Sequence, residues 1–163
     1  MISPDYLRTL FAYHEWATLR VLNTAAQLDP PALDATPLAG LGSLRQILVH
    51  ALSADYVWRS RLEGTSPPAM LDPAAFPTLD TIRARWADEI ATLRNVIATL
   101  DAPTLAEDLA YQTTRGIDQR TPRWQIFAHM ANHGTQHRSE AAALLTALGH
   151  SPGDLDMIVF FRA

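Results

Sequence analysis

The sequence predicts an all-α protein, a four-helix bundle with a long irregular or hairpin-containing connection between its third and fourth helices. Three observations predict it. Four segments of twenty or so residues repeat apolar side chains at the three–four spacing of an amphipathic helix, proline-rich stretches separate them, and no region is rich in strand signals. A chain of 163 residues falls within the usual size of one domain, so residues 1–163 are read as a single unit.

The first helix is expected over Pro4–Leu28. Ser3 suits the cap, Pro4 suits the first helical position, and Leu7, Leu10, Phe11, His14, Val21, Leu22, Ala25 and Leu28 form one face. Asp29-Pro30-Pro31 ends it, because the residue before a proline avoids helical backbone. The second helix, Leu44–Glu63, is capped by Ser43 and stopped by Gly64, with Leu44, Ile47, Leu48, Ala51, Trp58 and Leu62 inward. Thr65–Thr78, with four prolines, reads as a loop. The third helix runs Leu79–Leu100 on the stripe Leu79, Ile82, Trp86, Ile90, Leu93, Ile97 and Leu100. The period then vanishes between Asp101 and Thr121, where Ala110–Thr114 followed by Arg115-Gly116 reads as a short β-hairpin or an ordered loop. Thr121-Pro122 opens the fourth helix, which ends at Leu148 before Gly149, and the apolar piece Leu155–Phe161 is expected to pack back on the bundle.

Composition removes whole classes of chemistry. There is no cysteine, which excludes disulfides, iron–sulfur clusters, cysteine-containing zinc fingers and a cysteine nucleophile. All thirteen basic residues are arginine, so Schiff-base chemistry and a P-loop lysine are also excluded. A net charge of −4 with scattered arginines offers no basic face to nucleic acid. The first residues lack the pattern of a signal peptide, and no segment reaches the ~18 uninterrupted apolar residues of a membrane span, so a cytoplasmic protein without membrane partners is the expectation. What remains unusual is six histidines in a short chain.

Three of them, His129, His133 and His137, recur at every fourth position of the fourth helix. Residues i and i+4 lie only about 40° apart on a helix, one turn above the other, so such a pair can aim two imidazoles at one metal. Taking Ile126, Met130, His137, Ala141, Leu144 and Leu148 as the inward stripe places His137 near its middle, His133 about 60° away and His129 about 100° away. Burial therefore favours His133 and His137. Glu140 lies three residues beyond His137, on the side of His133. A third ligand must come from another helix: His50 is the better candidate and His14 the weaker. His-Glu-x-x-His, the Glu-x-x-His pairs of di-iron bundles and the Gly-x-Ser-x-Gly elbow are all absent.

These residues also stand in a familiar order. Tyr13-His14-Glu15-Trp16-Ala17, then Gly42-Ser43-Leu44 with His50, Asp55, Trp58, Arg61-Leu62 and Gly64, then His129 through Arg138, and finally Leu148–Pro152 with Leu155-Asp156, together make the chain resemble the DinB/YfiT-like family over nearly its whole length. That resemblance implies a divalent metal, zinc or nickel, held by His50, His133 and His137, with His129 in a supporting or packing role. It further implies a low-molecular-weight thiol as co-substrate, S-transfer or thiol-dependent isomerisation, and a homodimer. Gln136 and Ser139 depart from the family pattern at positions that are not ligands.

Three neutral imidazoles leave a coordination position open and the metal charge uncompensated, which is the arrangement of a catalytic site. The expected function is thiol-dependent S-transferase, isomerase or hydrolase chemistry on a small electrophilic substrate; the alternative is a non-catalytic dimeric metal-binding or stress-response protein. Glu140 and Asp55 are weak candidates for orienting a ligand imidazole or moving a proton, against the simpler reading of solvated helix charges. Trp16, Trp58 and Tyr13 read more simply as core aromatics than as a pocket mouth, Arg138 as a carboxylate partner rather than an anion site, and His150 as a polar loop residue.

Overall fold

Local capping chemistry sets where the helices begin. In the computed structural model, which describes residues 2–162, helix α1 spans Pro4–Ala25, and Ser3 Oγ accepts the Tyr6 N–H at 3.1 Å. Helix α2 spans Leu44–Leu62 behind a capping box in which Ser43 and Gln46 satisfy each other's backbone N–H groups. Helix α3 spans Leu79–Ala98 and opens on the reciprocal pair Thr78 and Thr81. A short helix α4, Ala102–Ala106, is capped by Asp101. Strands β1 (Asp108–Gln112) and β2 (Asp118–Pro122) pair antiparallel, with Ala110 opposite Arg120. Gly116, at φ +74°, supplies the left-handed backbone that closes their turn. Helix α5 spans Arg123–Ala147 and helix α6 Met157–Phe160. The described residues are thus mostly helical, with one small two-stranded sheet.

Three boundaries differ from expectation by more than one residue, each for a local reason. Helix α1 stops at Ala25 rather than Leu28, because the Gln27 and Leu28 amides tighten into three-residue turns ahead of Pro30-Pro31. Helix α3 likewise ends at Ala98, and the Leu100 amide bonds back to Ile97. Thr121 and Pro122 do not open α5: they lie in β2 opposite Leu109 and Asp108, and the chain passes from strand to helix without a loop. The hairpin, one of the two alternatives for this connection, is formed, and it is preceded by α4, which carries no period long enough to read.

Helix α1 packs on α3 and α5, and α2 packs on the same two, so the four long helices close a ring. Their apolar side chains fall into two clusters. One, around Leu44, Leu52, Ile82 and Leu144, fills one end; the other, around Leu7, Leu93, Ile126 and Phe127, fills the end carrying the hairpin. Arg61 is stacked between Trp58 and Tyr111, 4.5 and 4.9 Å from the ring centres, and ties the hairpin to α2. At the other face, α6 rests on α1: Tyr13 Oη donates to the Leu155 carbonyl at 3.0 Å, and Phe160 lies against Tyr13 and Trp16. Among the described residues, no helix is long and apolar enough to cross a membrane.

Between the two clusters lies a buried polar layer, to which each long helix gives one side chain: His14 and Asp55 (3% exposed each), Glu89 (1%) and Arg138 (5%). His14 Nε2 is 2.9 Å from Asp55 Oδ2, and His14 Nδ1 is 3.0 Å from Arg138 Nη1. Guanidinium nitrogens only donate, so Nδ1 accepts and the ring proton sits on Nε2, where it is given to Asp55. Glu89 is held by Arg59 and Arg85. Close approach of α5 to α1 at this level requires Gly134, since a Cβ there would collide with the His14 ring and with Arg138. Replacing a mid-helix glycine by alanine ordinarily stabilises by about 1 kcal/mol. Here the sign is expected to reverse: Gly134→Ala should lose about 1–3 kcal/mol in urea unfolding, the usual cost of overpacking.

Candidate metal centre

The period of α5 builds the site. His133 and His137 stand one turn apart, and their Nε2 atoms face each other at 3.1 Å. His50 reaches them from α2, with ring centres 4.6 Å from His137 and 5.3 Å from His133. One donor nitrogen from each of the three lies within 4.8 Å of the other two. Zinc–nitrogen bonds of about 2.0–2.1 Å at tetrahedral angles separate ligand nitrogens by about 3.3–3.4 Å, so the spacing suits a small divalent ion with little movement. The group therefore has the donor set and the spacing to hold a metal.

The electrostatics suit it as well. Burial, and then the neighbouring imidazoles of His137, His50 and His129, push His133 down to about 4, so its nitrogen carries a free lone pair at neutral pH. Partial desolvation at the rim, followed by the neighbouring His137, likewise lowers His50. His137 Nδ1 lies 2.6 Å from Glu140 Oε2. Burial acts to raise the Glu140 carboxyl, but hydrogen bonds from His137 and Gln136 outweigh it and hold the group below the ordinary carboxylate value. An ionised Glu140 takes the Nδ1 proton, which leaves His137 Nε2 facing the other two histidines. This is the carboxylate–histidine arrangement that orients metal ligands.

A cavity of about 440 Å³ opens directly beside these groups. His50, His137, Glu140, Ser53, Met70 and Leu71 are among the residues that line it. Met70 and Leu71 come from the proline-rich loop, which Ser53 Oγ holds over α2 by accepting the Leu71 N–H at 2.6 Å. The sequence offered no sign that this loop walls the site, because nothing in a proline-rich stretch shows which helix it folds onto.

The other sequence candidates separate cleanly. Both ring nitrogens of His14 are engaged in the interior, by Asp55 and Arg138, so it has no lone pair to give a metal. Asp55 is its partner there and touches none of the three grouped histidines; Glu140 is the carboxylate that does. His129 is exposed and packs edge-on against Trp58 at 5.5 Å. His150 lies on the loop after α5, 3.4 Å from Gln27. Tyr13 and Trp16 support α6, and Trp58 supports the hairpin. Arg138 is a buried member of the polar layer rather than a surface charge.

One placement needs correction. The buried residues of α5 are Ile126, Phe127, Met130, Ala131, Gly134, Arg138, Ala141, Leu144 and Leu145, so the buried face extends beyond the expected stripe on one side and His137 lies at its flank, not near its middle. His133 and His137 are half-buried and His50 is exposed, which makes the group a rim feature open to solvent. The face is wider than expected because Gly134 and Arg138, neither apolar in side chain, are buried along it beside Phe127, Ala131 and Leu145.

Two outcomes are expected. Glu140→Ala should leave the helical content unchanged and weaken divalent metal affinity by about 10–100-fold in a competition titration. In chelator-treated protein, the depressed His133 binds its proton more readily when unfolded. Stability should therefore fall as pH drops from 6.5 toward about 4, as measured by thermal unfolding.

The chain is 22% identical over 166 residues to Protein DinB of Bacillus subtilis (strain 168), a match covering 96% of this chain and 95% of that protein. The family model described as DinB family matches residues 1–163, so the chain belongs to the DinB family.

Proposed function

We propose that the chain is a metal-dependent enzyme whose divalent ion, zinc or nickel, is held by His50, His133 and His137. The observation that carries this reading is the convergence of three imidazoles from two helices, one of them oriented by Glu140, at the edge of a 440 Å³ cavity. Three protein ligands leave a position for a substrate group, as catalytic sites do and closed structural sites do not. A divalent ion bound there would supply Lewis acidity that ionises a thiol or water arriving in the cavity.

The chain's own residues do the rest. Glu140 accepts a hydrogen bond from His137 Nδ1–H and so fixes the direction of Nε2. Met70, Leu71 and Ile47 give the cavity an apolar wall that favours a small organic electrophile over bulk water. With no cysteine in the chain, the nucleophilic sulfur of an S-transfer reaction has to enter as a low-molecular-weight thiol. Thiol-dependent S-transfer or isomerisation is therefore the reaction class proposed, with hydrolysis as the variant in which water takes the place of the thiol. A cytoplasmic homodimer with a four-helix-bundle fold completes the reading.

Elemental analysis of purified protein tests the site. About one divalent ion per chain is expected in the wild type and after His129→Ala, and less than about a tenth of that after His50→Ala or His137→Ala. No metal in the wild type after reloading would overturn the reading. Transfer of a model thiol to a monochlorinated or epoxide electrophile, present in the loaded wild type and absent in His137→Ala, separates an enzyme from a metal-binding protein without catalysis.

A further inference from the structure

A second pocket, of about 250 Å³, lies on the opposite side of the polar layer, between α1 and α3. It is separate from the metal-side cavity. Only a void of about 10 Å³ lies between them, bounded by His14, Asp55 and Trp86 on one side and by His137 and Gly134 on the other. That is too small for more than a single water.

The pocket is built in two zones. Phe11, Ile90, Leu93 and Ile97 give it apolar walls, while the exposed Ala12 and Ala98 stand among its lining residues where the pocket meets solvent. Its buried end holds Trp86, Asp55, His14 and Glu89. Trp86 is only 3% exposed, and its indole Nε1–H has no hydrogen-bond partner. A buried donor left without an acceptor is uncommon and costly, and Trp86 lines the same pocket as Asp55, whose carboxylate is an acceptor. The charges around the pocket are already matched: Arg94 with Glu15, Arg8 with Asp5, Glu89 with Arg59 and Arg85, Asp55 with His14. An ionic ligand would therefore displace an existing pair. A hydroxyl, by contrast, is the simplest group that accepts from an N–H and donates to a carboxylate at once.

We propose that the α1–α3 pocket binds a small neutral aromatic alcohol, its ring between Phe11, Ile90 and Leu93 and its hydroxyl between Trp86 Nε1 and Asp55. The volume agrees: a dry apolar cavity of about 150 Å³ takes benzene, so 250 Å³ takes a substituted single ring or a compact bicycle. The site is independent of any metal bound by His50, His133 and His137, and its test does not depend on that reading.

Phenol serves as the probe, with toluene and benzoate as comparisons, titrated into the full chain while the indole N–H resonances are followed by ¹⁵N NMR. Trp86→Phe assigns the Trp86 signal. Saturable binding of phenol that moves the Trp86 resonance is expected, roughly tenfold tighter than toluene and tighter than benzoate. Ala12→Leu, at an exposed helical position, should fill the pocket and weaken phenol binding at least tenfold with metal content unchanged. Ala98→Leu on α3 tests the same point should the first variant fold poorly. No saturable binding, equal affinity for phenol and toluene, or undiminished binding in a folded Ala12→Leu or Ala98→Leu protein would each overturn the proposal.

Discussion

The arrangement on which the rest of the molecule depends is the hydrogen-bonded line Arg138–His14–Asp55. It spans three helices in the interior, and each link is directional. Arg138 can only donate, so His14 has to accept at Nδ1 and donate at Nε2, and Asp55 receives that proton. Apolar contacts tolerate sliding by a fraction of a turn; this line does not, because a displaced helix would leave a buried guanidinium or carboxylate without a partner at a cost of several kcal/mol. Substituting a well-packed apolar layer for such charges is often neutral or favourable, so register is the better account of what the layer supplies.

Register is also what the metal group requires. His133 is next to Gly134, the residue that lets α5 reach His14, and His137 is next to Arg138, which bonds to it. His50 lies five residues before Asp55 on α2. Fixing Arg138 against His14 and Asp55 therefore fixes the height and rotation of α2 against α5. The outward neighbours of the inward polar residues are then brought face to face at the rim. The histidine group and the buried line are two sides of the same pair of helix turns.

Much of this was legible in the sequence, and the rest was hidden for physical reasons. Caps and stops at Ser3, Ser43 and Gly64 are decided by backbone chemistry within three or four residues, and they appear where expected. The pairing of His133 with His137 follows from helical geometry alone; His50, the better of two candidates for a third, is the one that lies with them, at an exposed position of α2. The polar layer was not found. Ile82, Trp86, Glu89, Leu93 and Ile97 make a continuous inward stripe, but a glutamate inside a stripe is a signal only if its partners are known, and Arg59 lies on another helix. Gly134 and Arg138 misled for the same reason: hydrophobicity scores side chains one at a time, whereas burial here is decided by what an arginine or a missing Cβ meets across the interface. Helix α4 and the hairpin are too short to express a period, and their place is set by tertiary contacts such as Arg61 between Trp58 and Tyr111.

The two halves of the metal group differ in how they depend on the fold. His133, His137 and Glu140 lie within two turns of one helix, so their mutual geometry survives any motion that leaves α5 intact. His50 belongs to α2 and is exposed, so its distance from the pair is a tertiary quantity. Two imidazoles on one helix would hold a metal ion only weakly by themselves; the third is what would complete the proposed site. Whatever shifts α2 against α5 thus acts on His50 first, and the element that resists such a shift is the buried Asp55–His14–Arg138 line. Asp55 therefore serves the metal group from the interior without touching it, by fixing the helix that carries His50, whereas Glu140 serves it by direct contact.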